Sequence, residues 1–253
     1  MRVYLAGSIW LERGDVRVPE TRFPGRQGRL AFALLAAEHR RAVTREELAE
    51  ELWGEAPPRA WDTALRAIVS KLRALLSEVG LDGETIGSAF GCYQLHLPRD
   101  AWIDLEATDD AVHRAEAEAR AGHPELANGW ALVANAIAAR PFLPGEDTPW
   151  VERRRAQLRE IRVRALECRA AVLLDTGDHP LAARDAEAVT HLEPFRETGY
   201  ALLMRAHAGG GNPAEALRVY ERCRRLVGEE LGVTPSPDLE QLYLDILRRS
   251  SEG

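Results

Sequence analysis

A chain of 253 residues, 45% of them hydrophobic and 29% charged, can bury one large core or two ordinary ones. Its longest unbroken apolar stretch, Leu30 to Ala37, is too short to cross a bilayer, and Met1 to Trp10 lacks the basic start and apolar run of a signal peptide, so a cytoplasmic protein with no membrane partner is expected. The net charge of -7 weighs against a nucleic-acid partner until the chain is divided: residues 1–99 carry 14 basic and 13 acidic side chains, the remainder 19 and 27.

In chain order, Arg2 to Leu5, Ile9 to Leu11 and Val16 to Val18 read as short strands separated by Gly7-Ser8 and Gly14-Asp15. A helix follows over residues 26–38, where Leu30, Leu34 and Leu35 recur at helical spacing. Thr44-Arg45-Glu46-Glu47 has the form of a capping box and opens a second helix through Leu48, Leu52 and Trp53, closed by Gly54. Pro57-Pro58 punctuates before a third helix over residues 59–79. Gly80 and Gly83 then lead into a short strand at residues 84–86, a turn from Gly87 to Gly91, and a strand from Cys92 to Leu97.

The third helix is amphipathic in an informative way. Trp61, Leu65, Ile68, Val69, Leu72, Leu75 and Leu76 share one side; Arg59, Thr63, Arg66, Ser70 and Arg73 step by four and three along another, roughly 140° around. Arg59, Arg66, Lys71 and Arg73 against Asp62 give residues 59–73 a charge of +3 inside a nearly neutral half. Such a helix can anchor itself by one face and offer the other to a major groove, where arginine meets guanine or phosphate and the Thr63 and Ser70 hydroxyls meet either. By itself the pattern also describes an ordinary solvated helix. Its place between a capped short helix and a glycine-flanked hairpin favours the DNA reading, because strands, three helices and a hairpin make an OmpR-type winged helix.

No strand is expected after residue 100. Helices are expected over 106–121, 125–139, 149–176, 180–192, 195–208, 213–230 and 237–249, with Thr148-Pro149, Asn212-Pro213 and Ser236-Pro237 as starts. Gly177 and Gly211 lie 34 residues apart, and in that register Ala182, Ala186, Val189 and Leu192 match Ala216, Tyr220, Cys223 and Leu226, which is the tetratricopeptide period. The expected fold is therefore an α+β winged-helix domain, residues 1–98, followed by an all-α tetratricopeptide-like repeat domain, residues 99–253.

Specific strings point further. Thr63-Ala64-Leu65-Arg66-Ala67-Ile68-Val69-Ser70-Lys71-Leu72-Arg73 resembles the recognition helix of the Streptomyces antibiotic regulatory proteins, and Glu51-Leu52-Trp53-Gly54 and Gly91-Cys92-Tyr93-Gln94-Leu95 look like the same family. In the second half, Pro149-Trp150-Val151-Glu152-Arg153-Arg154, Ala214-Glu215-Ala216-Leu217 and above all Glu229-Glu230-Leu231-Gly232-Val233-Thr234-Pro235-Ser236-Pro237 resemble the bacterial transcriptional activator domain that accompanies those winged helices. The resemblance implies a pathway-specific activator that binds direct repeats at promoter DNA, as a dimer there, and recruits RNA polymerase through its sigma factor and other subunits, for a secondary-metabolite gene cluster. It implies DNA-backbone roles for Arg45 and Trp53 and adds Lys71 and, in the wing, Ser88 to the DNA-contacting set. The wing departs from the family in one respect: members often carry an arginine before the wing glycines, whereas this one reads Gly87-Ser88-Ala89-Phe90-Gly91.

Other features have plainer readings. Cys92, Cys168 and Cys223 are too far apart for a disulfide framework or a metal knuckle. The seven histidines have no ligand spacing, and no nucleophile–base pair or paired carboxylates suggest catalysis, so neither metal, cofactor nor enzyme activity is expected. Gly209-Gly210-Gly211 reads as an interhelix turn, Trp130, Trp150 and Tyr220 as core anchors, and Arg153-Arg154-Arg155 as a solvated charge run. The competing functional reading is a protein-binding adaptor whose winged helix is degenerate, motivated by the acidic second half and the altered wing.

Overall fold

A computed structural model of the protein describes residues 1–81 and 84–251; Gly83, expected before the strand at residues 84–86, lies outside them. The first elements are β1 (Arg2–Tyr4), β2 (Trp10–Arg13), β3 (Val16–Val18), α1 (Gly25–Ala37), β4 (Val43–Thr44), α2 (Arg45–Trp53), α3 (Trp61–Glu78), β5 (Ile86–Ala89), β6 (Cys92–Leu95) and β7 (Trp102–Ile103). Then come α4 (Asp104–Arg120), α5 (Pro124–Ala138), α6 (Pro149–Asp175), α7 (His179–Leu192), α8 (Glu197–Gly209), α9 (Pro213–Leu231) and α10 (Pro237–Ser251). The chain divides into two compact units, residues 1–107 with 137–158, and residues 108–136 with 159–253.

In the first unit a four-stranded sheet has the order β3-β2-β1-β7, with β1–β2 and β2–β3 antiparallel and β1–β7 parallel. Strand alternation buries Val3, Leu11, Val18 and Ile103 and turns an aromatic ladder to the other face. There the Arg17 guanidinium lies 3.7 Å from the Trp10 ring, Trp10 stacks on Tyr4 at 3.6 Å, and Trp102 tilts against Tyr4 at 5.1 Å. Strand β7 overturns the expectation of no strand after residue 100. It is two residues long and pairs with β1 at the opposite end of the domain sequence, so it has no local periodicity to betray it. At the strand-to-helix junction the wholly buried Asp104 carboxylate accepts from the backbone N–H groups of Leu5 (2.9 Å) and Ala6 (3.0 Å).

Helices α1, α2 and α3 form the core of this unit through Leu30, Phe32, Leu34, Leu48, Leu65 and Leu72, and residues 137–158 lock onto it. Trp150 is buried; its backbone N–H donates to Glu51 and its indole N–H to Glu38 at 3.1 Å. Arg154 donates to Glu38 at 2.5 Å, Arg155 to the Phe142 and Leu143 carbonyls, and Arg26 and Arg29 to the buried Glu146. The run Arg153-Arg154-Arg155 is thus not simply solvated: its last two members are clamps whose partners include a residue more than a hundred positions away.

Burial pushes the Glu38 carboxyl up, but hydrogen bonds from Arg41, Trp150 and Arg154 outweigh it and hold the pKa at about 2. A carboxylate depressed in the folded state binds fewer protons there than in the unfolded chain. Its stabilisation is complete above the unfolded value and disappears as the pH falls through 4 towards 2. It is worth on the order of 3 kcal/mol for this 17%-exposed side chain. Glu38→Gln is expected to lower the neutral-pH stability and to flatten the acid limb of urea-unfolding stability between pH 5 and pH 2; an unchanged acid limb would refute the assignment.

The second unit repeats one turn three times. In each, a glycine of positive φ (Gly122, Gly177, Gly211) follows a helix, and the next residue's N–H returns to a carbonyl five positions back: His123 to Glu118, Asp178 to Leu173, Asn212 to His207, at 2.8–2.9 Å. Proline then opens the following helix within two residues. The last two copies are the 34-residue repeat read from the sequence, and its matched Ala182, Ala186 and Val189 and Ala216, Tyr220 and Cys223 are all buried. Proline-led starts differ in their caps: Thr148 and Ser236 accept a backbone N–H at 3.4 Å, whereas Asn212 makes no side-chain cap. Among the described residues the three cysteines are free thiols, and no helix is long and apolar enough to cross a membrane.

Candidate nucleic-acid interface

Thr44 supplies the start of α2: its backbone is extended and its hydroxyl accepts the Glu47 N–H at 3.0 Å. The reciprocal half of the capping box is replaced, because the Glu47 carboxylate is held by Arg41 at 2.6 and 2.9 Å. After Gly54 and the two prolines, Trp61 N–H returns to the Pro58 carbonyl at 2.9 Å and α3 begins there, two residues later than expected. Arg59 therefore precedes the helix and is exposed.

Along α3 the buried face is Leu65, Ile68, Val69, Leu72, Leu75 and Leu76, as expected, with Trp61 half-buried. The exposed face carries Thr63, Arg66, Ala67, Ser70, Lys71 and Ala74. Two alanines between the polar positions keep this face low, so that a duplex could approach the backbone of the helix closely. Arg73 is not on it: its Nε and one terminal nitrogen donate to the Ile86 carbonyl at 3.0 and 2.6 Å, tying α3 to β5. Its place in the four-three stripe lies at the edge that meets the hairpin, which periodicity alone does not distinguish from solvent.

Arg45 and Arg66 converge on one carboxylate. Asp62 takes Arg66, one helical turn on, and Arg45 from α2 at 3.4 Å. Arg45 also lies 5.6 Å from the buried Tyr93 ring and is half-buried, with a neutralised head in the free protein. Arg59, Thr63, Ser70, Lys71 and Ser88 are exposed and make no such pairing among the described residues. Trp53 is half-buried at the end of α2.

Strands β4, β6 and β5 form the wing sheet, in that order and antiparallel. The expected turn at Gly87–Gly91 is corrected: β5 runs through Gly87 to Ala89, which pairs with Cys92, and only Phe90 and Gly91 turn the chain. Both have positive φ, 50° and 76°, the sign pattern of a primed two-residue hairpin turn. Gly87 serves a different need, since a Cβ there would lie 2.8 Å from His96 Nε2. The Arg45 N–H donates to the Gly91 carbonyl at 3.0 Å, fixing the wing tip to the start of α2. Phe90, at that tip, is fully exposed (104%).

Residues 26–91 match the family of the transcriptional regulatory protein C-terminal domain, and residues 103–247 that of the bacterial transcriptional activator domain. The chain is similar to the regulatory protein AfsR of Streptomyces coelicolor, 35% identical over 224 residues, which are 88% of this chain but 22% of the relative. It is similar to the regulatory protein DnrI of Streptomyces peucetius, 28% identical over 88% of this chain and 84% of the relative. Among solved structures, Mycobacterium tuberculosis EmbR, in complex with a low affinity phosphopeptide, superposes with a TM-score of 0.88 at 27% identity, covering 98% of this chain and 65% of that one. The chain thus spans about a fifth of the length of the AfsR relatives.

Proposed function

The chain belongs to the Streptomyces antibiotic regulatory protein family, with a bacterial transcriptional activator domain over residues 103–247, and from that premise we propose that it is a sequence-specific DNA-binding transcription activator. It binds direct repeats at promoters, occupies them as a dimer, and recruits RNA polymerase through the sigma factor and other subunits. Its target is a secondary-metabolite gene cluster, and it works in the cytoplasm on the nucleoid. The observation that carries the reading is the exposed face of α3, with Arg66, Lys71, Thr63 and Ser70 on one side of a helix whose other side is buried. Exposed hydroxyls and cations on an anchored helix fit a major groove's base edges and flanking phosphates.

The test is a titration of the full chain on duplexes selected by it from a randomised pool, against an unselected duplex. Arg66→Ala is expected to weaken the selected duplex by about 1–3 kcal/mol and relax the preference at one position. Lys71→Ala is expected to weaken both duplexes alike and to flatten the salt dependence by about one unit of slope. Equal affinity of the unsubstituted chain for selected and unselected DNA would defeat the proposal. Full activity of residues 100–253 without residues 1–99 would favour the adaptor reading instead.

A further inference from the structure

Phe90 combines three properties that rarely meet in one residue. It is fully exposed, whereas the next most exposed large apolar side chain among the described residues, Leu231, is at 55%. Its backbone is left-handed, φ 50°, at a turn position that asparagine, aspartate or glycine fills without steric conflict. It also stands at the end of a hairpin with no charged side chain from Thr85 to Leu95. A bulky aromatic held in a disfavoured conformation, with its ring in water, contributes nothing to the fold that a polar turn residue would not improve. Such local strain points to use by a ligand.

The surroundings indicate which ligand. Gly91, the other turn residue, is bonded through its carbonyl to the Arg45 backbone, and Arg45 shares Asp62 with Arg66 of the exposed α3 face. Arg73 joins α3 to β5 at the base of the same hairpin. The aromatic tip and the cationic helix are therefore parts of one braced body.

Resting on the DNA-binding reading above, we infer that Phe90 is an apolar wedge that contacts bases in the minor groove, partly unstacking a flexible step and bending the duplex. An uncharged wedge of this kind reads the deformability of the duplex. Pyrimidine–purine steps such as TA and CA/TG unstack most easily, so a preference for one of them is expected at a fixed distance from the bases read by α3.

The test uses the full chain with duplexes it selects from a randomised pool, measuring affinity against salt and bend angle by fluorescence energy transfer between end labels. The unsubstituted protein is expected to bend selected DNA by roughly 20° or more. Phe90→Asn is expected to lose about tenfold or more in affinity and most of the bend, with the salt slope unchanged and the thermal midpoint equal or higher, since asparagine suits the turn. Phe90→Arg is expected to steepen the salt slope by about one without restoring the bend. Equal affinity and bend in Phe90→Asn overturn the wedge while leaving the DNA-binding reading intact. Unchanged binding and bend with lost transcription assign the tip to a protein partner and overturn it too. A pool that yields no preferred duplex overturns the parent reading, and this one with it.

Discussion

Arg169→Met is expected to destabilise the helical repeat unit by about 3–5 kcal/mol, read as a fall in the urea midpoint of the helical circular-dichroism transition. Asp185 on α7 is 5% exposed at its side chain and Arg169 on α6 14%. The guanidinium gives two bonds to the carboxylate, at 2.8 and 3.0 Å, and one to Asn128 of α5 at 2.9 Å. One cation thus ties three helices. Burial pushes the Asp185 carboxyl up and Arg169 pulls it part of the way back. Removing the arginine strands a carboxylate in the packed interior, which is why the single change is severe. It also raises the folded pKa further, so the folded chain then binds the proton more tightly than the unfolded one, and acidification returns stability to the variant. The deficit is expected to shrink as the pH falls towards the ordinary carboxylate range. Arg169→Met with Asp185→Leu, which removes both charges, is expected to recover most of the loss, because the desolvation of the pair offsets much of its attraction. A single variant that unfolds at the wild-type midpoint would refute the role of this cluster.

How far the sequence reveals this molecule depends on the length over which a pattern repeats. Helix α3 is 18 residues long, enough turns for its buried and exposed sides to separate, and its inner residues were legible one by one. The 34-residue repeat was legible for the same reason, although its first copy at Gly122 was not, because α6 and the segment before it stretch the interval to Gly177. Strands β4 and β7 have two residues each and are defined by partners distant in sequence. Gly87 looked like a turn glycine, yet what it supplies is room for His96 within a strand. The actual turn puts Phe90 where propensity argues for a small or polar residue, so the rule fails at the position proposed to touch DNA. Arg73 and the run at Arg154 and Arg155 looked solvent-facing because nothing in their own segments names the carbonyls and carboxylates that bind them. Charge patterning identifies the cations of a site but not those already engaged.

The other large effect is expected at Asp104. Its two oxygens each take a backbone N–H from the segment that follows β1, Leu5 and Ala6, and the side chain is wholly buried. Asp104→Ala leaves both donors without that acceptor in a site closed to water. At about 1–3 kcal/mol for each buried group left unmade, the loss is expected to be on the order of 4 kcal/mol. Asp104→Asn keeps one acceptor but turns an amide donor towards the other N–H, and is expected to lose about half as much. The pH response should distinguish this site from Glu38. Burial raises the Asp104 carboxyl against the pull of the hydrogen bonds from Leu5, Ala6 and Leu105, so acidification through its pKa removes no stability that charge had supplied, whereas at Glu38 it does. The acid limb of unfolding should therefore survive in Asp104→Asn and flatten in Glu38→Gln. The sheet that Asp104 secures also braces the proposed reading helix: Arg13 at the end of β2 donates to the Gly80 carbonyl at 2.6 Å, just past the C-terminus of α3. Loosening β1 and its neighbours is thus expected to weaken DNA binding in Asp104→Ala in proportion to the folded fraction. Affinity lost while the unfolding midpoint stays unchanged would instead give Asp104 a role that this packing does not explain.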